Sequence, residues 1–212
     1  MNSIKFNYFP FNARGAITRA ILSVSKATWE NHIITMQEWP TVKQSGFCEF
    51  GQLPVLEFNG KKYTQSMAME LFLARHYNLI GITADEEYQV TSLLCTFDDL
   101  FPLVHKVSML RTEELKKNLE KNRSELIEKY KFYLKKLEER YVKNGKKNYF
   151  LGEHFTLADI YLSVVTNSFV NAMNGKDPFK ETAPLLHALV ERVKGKELKE
   201  YFEKYFIKEA IF

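Results

Sequence analysis

The first 80 residues alternate short runs of β-favouring residues with a segment of helical spacing. Aromatic and β-branched residues dominate Ile4 to Phe9, which predicts a strand. Apolar residues recur at helical intervals in the next segment, Ala16 to Lys26, which predicts a helix. Asn31 to Met36 predicts a second strand, whereas Glu38 to Gly51 has mixed polarity with proline and glycine, which is typical of an irregular surface segment.

A hairpin and a second helix complete this N-terminal unit. Val55–Phe58 and Lys61–Tyr63 flank Asn59-Gly60, a dipeptide that strongly favours a two-residue hairpin turn. Ser66 to Tyr77 predicts a helix, and Asn78 suits the left-handed residue that ends it. The order βαβ followed by ββα is that of a thioredoxin-like domain, so we predict an α/β domain over residues 1–80.

The pattern changes after Leu79-Ile80-Gly81, where strand signals stop and long helical patterns follow. We predict a linker near residues 79–84 and an all-helical C-terminal domain over residues 84–212. Glu113 to Tyr141 is highly charged and has a narrow apolar stripe, which favours a bundle helix with one solvated face. A coiled coil is the alternative, but the stripe spans only about three heptads.

Two further helices have marked ends. Thr156 to Met173 predicts a helix whose first N–H groups are capped by Thr156, with Asp159 reaching back as the reciprocal cap. Pro184 and Gly195 are typical of the start and the end of another helix. We interpret the Thr156–Asp159 box as structural rather than as part of a substrate site.

Composition and charge exclude several classes of protein. The 212 residues have a formal net charge of +4, and acidic residues are interleaved with the basic ones, which argues against a nucleic-acid surface. Without a run of eighteen apolar residues or a signal-like N-terminus, we expect no membrane span and a cytoplasmic location. Cys48 and Cys95 lie far apart in sequence, so neither a disulfide framework nor a metal site is indicated.

Two short motifs behind an early tyrosine suggest a clamp for a small peptide. Leu53-Pro54 precedes the strand Val55–Phe58, and a cis proline there would leave the backbone of Leu53 free to pair with an extended ligand. Gln65-Ser66 opens a helix, where a hydroxyl and N–H groups can bind a carboxylate. Tyr8 lies at the end of the first strand, where it is either a core aromatic residue or a side chain that projects into a cleft.

This ordered set resembles the glutathione site of the tyrosine-type cytosolic glutathione S-transferases. The resemblance extends over essentially the whole chain and lies between the pi-like and sigma-like classes, closer to sigma. Its residues are Tyr8-Phe9-Pro10, Arg14, Trp39, Lys43, Gln52-Leu53-Pro54, Gln65-Ser66, Asp98-Asp99 and Thr156-Leu157-Ala158-Asp159. The resemblance implies that the enzyme conjugates glutathione, as co-substrate and without a further cofactor, to hydrophobic electrophiles in detoxification.

The resemblance also implies a role for each residue of the set. Tyr8 would donate a hydrogen bond to the thiolate, and Arg14 would polarise the site near the thiol. The glycyl end would be bound by Trp39, Lys43 and Gln52, the backbone by Leu53-Pro54, and the γ-glutamyl carboxylate by Gln65 and Ser66. Asp99, a better match than Asp98, would reach across a dimer to the ligand's ammonium group.

The electrophile pocket and the assembly are less well specified. Phe9 and Phe11 would flank the hydrophobic substrate, with residues 100–110 as the other wall, and Phe50 would insert into a partner subunit of a homodimer. Side activity as a peroxidase or isomerase is compatible with the resemblance, but the chain lacks a tryptophan in that wall, which puts prostaglandin isomerisation in doubt. The rival hypotheses are a non-catalytic ligand-binding or crystallin-like protein on the same fold, and a helical adaptor built on residues 113–141.

Overall fold

The computed structural model describes residues 3–108 and 112–207, and within them a four-stranded sheet is followed by a helical array. The strands are β1 (Ile4–Tyr8), β2 (Glu30–Ile33), β3 (Val55–Phe58) and β4 (Lys61–Tyr63). The sheet order is β2-β1-β3-β4, with β1 and β2 parallel and the other pairs antiparallel. The helices are α1 (Ala16–Val24), α2 (Trp39–Gln44), α3 (Ser66–His76), α4 (Ala84–Asp98), α5 (Phe101–Ser108), α6 (Glu113–Lys117), α7 (Leu119–Lys143), α8 (Leu157–Ala172), α9 (Phe179–Thr182), α10 (Pro184–Gly195) and α11 (Lys199–Lys204).

The N-terminal unit has the predicted mixed α/β architecture. The hairpin turn lies where the sequence predicted it, with Asn59 at φ 51° and Gly60 at φ 79°, and it sets the register that pairs Leu56 with Tyr63. Asn78 has φ 57° and ends α3 in the left-handed conformation, as expected. The thioredoxin-like order of elements is therefore confirmed.

The prediction of an irregular segment over residues 38–51 is wrong in part, because α2 (Trp39–Gln44) lies inside it. Pro40 suggested a break, but it lies in the first turn, where a missing N–H costs no hydrogen bond. The second strand is also shorter than expected, since β2 ends at Ile33.

The charged segment after residue 112 forms two helices rather than one. Asn118 ends the short α6 and precedes the long α7. The apolar stripe of α7 is buried at Leu126, Tyr130 and Leu137 and packs on helices α5, α9 and α10 of the same chain. These contacts are those of a bundle helix, which favours that interpretation over the coiled coil.

Asp159, in the first turn of α8, binds two separate backbone segments. Its carboxylate accepts hydrogen bonds from the N–H and the hydroxyl of Thr156, and also from the N–H of Phe150 in the preceding loop. All of these groups are buried, and burial raises the pKa of the Asp159 carboxyl to about 6. The predicted reciprocal cap is present on the Asp159 side and also fixes the loop before the helix.

The sheet unit and the helical array share one apolar core. Helix α1 packs on α8 and α11, and the N–H of Leu157 donates to the carbonyl oxygen of Leu79 at 2.7 Å. Asn12 exchanges two hydrogen bonds with the backbone of Ile207, which joins the segment after β1 to the segment after α11. Because the core is continuous, the predicted division at residues 79–84 stays a prediction.

Within the described ranges, no helix combines the length and the apolar character that a membrane crossing requires.

Candidate active site

Two adjoining cavities open where the sheet unit meets the helices. The first has a volume of about 460 Å³ and a mainly apolar wall, to which β1, α1, α3, α5 and α8 contribute. The second has a volume of about 780 Å³ and contains most of the polar residues predicted for the peptide clamp. Phe9, Arg14, Trp39 and Ser66 line both cavities, so a molecule in one can contact a molecule in the other.

Tyr8 lies in the wall of the apolar cavity at the end of β1. The side chain is buried, and its ring packs against Phe9 and Phe11, with ring centroids 5.5 and 5.6 Å away. Its hydroxyl oxygen accepts a hydrogen bond of 3.2 Å from the backbone N–H of Arg14. Burial raises the pKa of Tyr8 to about 12, against the lowering effect of this hydrogen bond and of the positive charges of Arg19 and Arg14. The phenol is therefore protonated at neutral pH and can act as a hydrogen-bond donor.

Gly15 leaves the space that the Tyr8 ring occupies. A Cβ atom at this position would lie 2.2 Å from Cδ1 and 2.9 Å from Cγ of Tyr8. Both distances are shorter than non-bonded carbon atoms can approach, so any side chain at position 15 would clash with the ring. Gly15 ends the single 3₁₀ turn Ala13–Gly15 that precedes α1. The sequence analysis missed this residue, because its importance depends on a neighbour seven positions away.

Arg19 supports the loop that carries the two phenylalanines. Its guanidinium is fully buried and donates to the carbonyl oxygens of Phe9 and Phe11 at 2.9 and 2.8 Å and to the side chain of Asn31 at 3.1 Å. Burial lowers the pKa of Arg19. This residue was also missed, although an arginine on the buried face of an amphipathic helix was an available signal.

Arg14 joins the sheet unit to the helices. Its guanidinium forms an ion pair with Asp98 at the end of α4 and lies 4.0 Å from the centre of the Phe101 ring. Asp98, rather than the predicted Asp99, lines the polar cavity. Asp99 faces α7, where the hydroxyl of Tyr133 donates to it at 3.4 Å. The predicted role of Asp99 across a dimer stays a prediction.

The peptide clamp leaves several polar groups without a partner in residues 3–108 and 112–207. The Leu53-Pro54 bond is cis, and the backbone N–H and C=O of Leu53 make no hydrogen bond. Gln65 has φ 66°, and Ser66 is the first residue of α3, where the N–H groups of the first turn have no partner within the helix. Such a helix start is suited to a carboxylate.

The other predicted residues of the clamp also line the polar cavity. Trp39 and Lys43 follow each other by one turn of α2, and the Lys43 ammonium lies 6.0 Å from the centre of the Trp39 ring. Gln52, Leu53, Pro54, Gln65 and Ser66 line the same cavity. The structure therefore brings together all of the predicted glutathione residues except Tyr8, which lines the adjoining apolar cavity, and Asp99.

Phe9 and Phe11 line the apolar cavity, and from residues 100–110 the lining includes Phe101, Val104 and His105. Their contact with an electrophile stays a prediction. Residues 109 and 110 of that prediction lie outside the described residues. The sequence analysis missed the contribution of α8, namely Tyr161, Val164, Val165, Ser168 and Phe169. It also missed Glu70, the one acidic residue that the described part of the chain places in this wall.

Three remaining sequence features lie around the site. The Phe50 side chain, at the rim of the polar cavity, is 59% exposed. Cys48 is buried, which raises the pKa of its thiol, and Cys95 is exposed. In the described ranges, no cluster of three histidine, cysteine or acidic residues is placed to bind a metal ion.

Comparisons with known proteins identify the family of the chain. The family model of the glutathione S-transferase C-terminal domain matches residues 99–205. Glutathione S-transferase S1 of Drosophila melanogaster is 33% identical over 199 residues, which cover 93% of this chain and 76% of that protein. Hematopoietic prostaglandin D synthase of Mus musculus is 30% identical over 173 residues, which cover 80% of this chain and 81% of that protein.

A solved structure extends the likeness to the fold. The sigma class glutathione S-transferase of Fasciola hepatica aligns with a TM-score of 0.84 at 26% identity, over 100% of this chain and 99% of that one. The match with the Drosophila protein already exceeds what chance allows over almost the full length of the chain. The chain therefore belongs to the glutathione S-transferases, and within them to the cytosolic enzymes of sigma-like type.

Proposed function

We propose that Tyr8 keeps the sulfur of bound glutathione ionised, so that the thiolate attacks an electrophilic carbon of an apolar molecule held in the 460 Å³ cavity. One observation carries this assignment. The Tyr8 hydroxyl accepts its hydrogen bond from a backbone N–H, so its own proton remains available to a second acceptor. Among the described residues no group accepts that proton, and the hydroxyl is hydrogen-bonded to Arg14, a residue that lines both cavities.

The required stabilisation is modest. A free thiol has a pKa of about 8.5, and lowering it by about two units makes the thiolate the main form at neutral pH. That shift corresponds to about 2.7 kcal/mol of preferential stabilisation of the anion. A phenol that donates to sulfur in a water-poor cavity, near the Arg14 charge, can supply this amount. No covalent intermediate with the enzyme is needed, because the protein positions two reactants.

The polar cavity is suited to the rest of the tripeptide. Ser66, Gln65 and the start of α3 would bind the γ-glutamyl carboxylate, and the free backbone groups of Leu53, before Pro54, would pair with the cysteinyl residue. The indole N–H of Trp39, the ammonium of Lys43 and the amide of Gln52 would bind the glycyl carboxylate. Asp98, which lines this cavity, would accept from the ligand's ammonium group, and the resemblance adds Asp99 of a partner subunit as a second acceptor.

Substitution of Tyr8 by Phe tests the assignment. We expect the turnover of glutathione with an aryl halide to fall by at least about tenfold, since removing one such donor typically costs that much or more. Glutathione affinity should change little, because the clamp residues are untouched. Tyr88→Phe, at an exposed position of α4, is the matched control. Unchanged turnover in Tyr8→Phe, or a loss confined to glutathione affinity, would contradict the role of Tyr8.

The same assay, together with retention on immobilised glutathione, distinguishes the proposed transferase from the non-catalytic hypotheses. A crystallin-like or ligand-storage protein would bind glutathione or apolar molecules without turnover, and a helical adaptor would not be retained on immobilised glutathione. We expect both retention and turnover of the wild-type protein. Turnover at the uncatalysed rate would overturn the proposed function.

A second activity is supported by the likeness to a prostaglandin D synthase. The apolar cavity has the size for a long aliphatic substrate. The described residues that α5 and α8 contribute to its wall include phenylalanine and valine but not the tryptophan that the resemblance associates with prostaglandin isomerisation. Incubation with prostaglandin H and glutathione, followed by product analysis, tests this activity. Absence of prostaglandin D would exclude it without affecting the transferase assignment.

We further propose that the protein acts in the cytoplasm as a homodimer in which Phe50 enters a partner subunit. A phenylalanine that is 59% exposed at the edge of a ligand cavity loses contact with water when a partner covers it. Phe50→Ser should shift the sedimentation behaviour towards the monomer. Ile82→Ser, which changes another exposed apolar residue, is the control. A monomeric wild-type protein would refute the proposed dimer.

A further inference from the structure

Glu70 is a buried carboxyl group that the proposed chemistry does not use. It lies one turn into α3 and is 3% exposed, in the wall of the apolar cavity that also contains Tyr8. Neither carboxyl oxygen has a hydrogen-bond partner in the described part of the chain, and Oε2 is fully buried. A buried polar group without a partner is costly and rare, so its presence in a ligand cavity calls for a functional reason.

The surroundings of Glu70 keep its proton in place. The ionisable groups near it are Arg14 and Tyr8 on the sheet side, Asp98 and Cys95 on α4, His105 on α5 and Tyr161 on α8. The guanidinium of Arg14 is paired with Asp98, whose negative charge offsets part of its effect on Glu70. Burial raises the pKa of Glu70 from 4.5 to about 8, with Arg14 opposing this effect and Asp98 adding to it. At neutral pH the cavity therefore holds a neutral carboxylic acid, which donates hydrogen bonds and protons.

We propose that Glu70 is a second catalytic proton donor, which acts when the electrophile's reacting carbon is conjugated to a carbonyl group. The proposal rests on the proposed function, because it requires a glutathione thiolate beside Tyr8. A carbonyl oxygen is the acceptor that a neutral carboxylic acid in an apolar wall can bind. The acid then acts where negative charge develops, which is the condition for an effect on rate.

The addition is balanced without an oxidant or reductant. The thiolate sulfur forms a bond to the β-carbon of the alkene, and the π electrons of the carbon–carbon double bond move to form the enolate. The enolate oxygen takes the proton from Glu70, which becomes a carboxylate. The carboxylate then takes back a proton from water, and the released enol rearranges to the carbonyl product. The proton that glutathione lost on ionisation accounts for the proton taken from water.

The experiment compares two electrophiles on the same protein preparation. Cinnamaldehyde has the conjugated carbonyl group, and benzyl chloride reacts at carbon with loss of chloride and has no oxygen. We expect Glu70→Gln to lower the ratio of their kcat/KM values, cinnamaldehyde over benzyl chloride, by about 100-fold, as for loss of a general acid. Because a ratio is measured, any loss of folded protein cancels. Glu70→Asp, which retains an acid, should keep more of this ratio than Glu70→Gln.

The pH profile gives an independent reading. In the wild-type protein the ratio should fall as the pH rises through about 8, where Glu70 loses its proton, and in Glu70→Gln it should be flat. Titration of His105, Tyr8 or Tyr161 would give a slope in both proteins. Equal ratios in the wild type and Glu70→Gln, with both substrates turned over, would refute the role of Glu70 and leave the proposed function intact. Absence of turnover with both substrates in the wild type would refute the proposed function, and this proposal with it.

Discussion

Glu70 should make the stability of this protein depend on pH in the opposite direction from an ordinary carboxylate. The ordinary pKa of the side chain is 4.5, which is also the value expected in the unfolded chain, and in the folded protein the pKa is about 8. Between these values the folded state binds the proton and the unfolded state does not. The contribution of Glu70 to stability is therefore complete below pH 4.5 and decreases as the pH rises to about 8.

The size of the effect follows from the two pKa values. Each unit corresponds to about 1.36 kcal/mol, so the full difference between pKa 4.5 and about 8 amounts to about 5 kcal/mol. At pH 7 the penalty is about 3 kcal/mol, and at pH 5 it is about 1 kcal/mol. Substitution of Glu70 by Gln removes this penalty, because an amide does not ionise. We expect the stability of Glu70→Gln relative to the wild type to improve by about 2–3 kcal/mol between pH 5 and pH 7.

Denaturant unfolding at pH 5, 6, 7 and 8 measures this difference, and for a chain of this length the same change shifts the melting temperature by about 5–10 °C. The difference between two proteins is the useful quantity, since the buried Asp159, with a pKa of about 6, contributes equally to both. Glu125→Gln, at an exposed position of α7, is the matched control for replacing a carboxyl group by an amide. A constant difference between Glu70→Gln and the wild type would mean that Glu70 is ionised in the folded protein. The basis for its role as a proton donor would then be lost.

Three other substitutions test the supports of the site. Gly15→Ala should displace the Tyr8 ring, since the new methyl group would lie 2.2 Å from it. We expect a loss of about 1–3 kcal/mol in the free energy of unfolding and a clear fall in turnover. Gly195→Ala, which adds a methyl group in open space, is the control and should change neither. Asp159→Ala should lower the free energy of unfolding by about 3 kcal/mol, because it leaves the N–H groups of Phe150 and Thr156 buried without acceptors. The loss of a simple helix cap would cost only about 1 kcal/mol. A loss of activity with an unchanged melting temperature would contradict this structural role. Arg19→Met should weaken substrate binding in the apolar cavity, because the carbonyl oxygens of Phe9 and Phe11 lose their hydrogen-bond donor. We expect a rise in the KM of the electrophile. An unchanged KM would show that the loop holds its shape without Arg19.

Local sequence signals were sufficient for the parts of the fold that depend on neighbouring residues. The Asn59-Gly60 turn, the start of α3 at Ser66 and the bounds of α10 were predicted because each depends on backbone conformations that a few residue types favour. Helix α2 was missed because the effect of Pro40 depends on where the helix begins. Proline is favourable in a first helical turn and disruptive later, and the sequence did not reveal where the turn began.

The site residues that escaped prediction have roles that depend on distant contacts. Arg19 and Glu70 are charged residues on short helices, and a pattern of polarity assigns such residues to the surface. Their burial results from packing against other elements: Arg19 bonds to the segment after β1 and to β2, and Glu70 lies in a cavity that α5 and α8 also line. The choice between Asp98 and Asp99 was similar, because adjacent residues on a helix differ by about 100° in direction, and only the packing of α4 decides which one faces the cavity.

The hydrogen bond that Tyr8 receives comes from the main chain of Arg14 rather than from its side chain. Alanine scanning would leave this contact intact, and replacement of Arg14 would report only on its guanidinium, which faces Asp98 and Phe101. A library of side-chain variants would therefore underestimate how much position 14 matters. Only a change that removes the amide hydrogen, such as proline or a backbone ester, would expose that dependence.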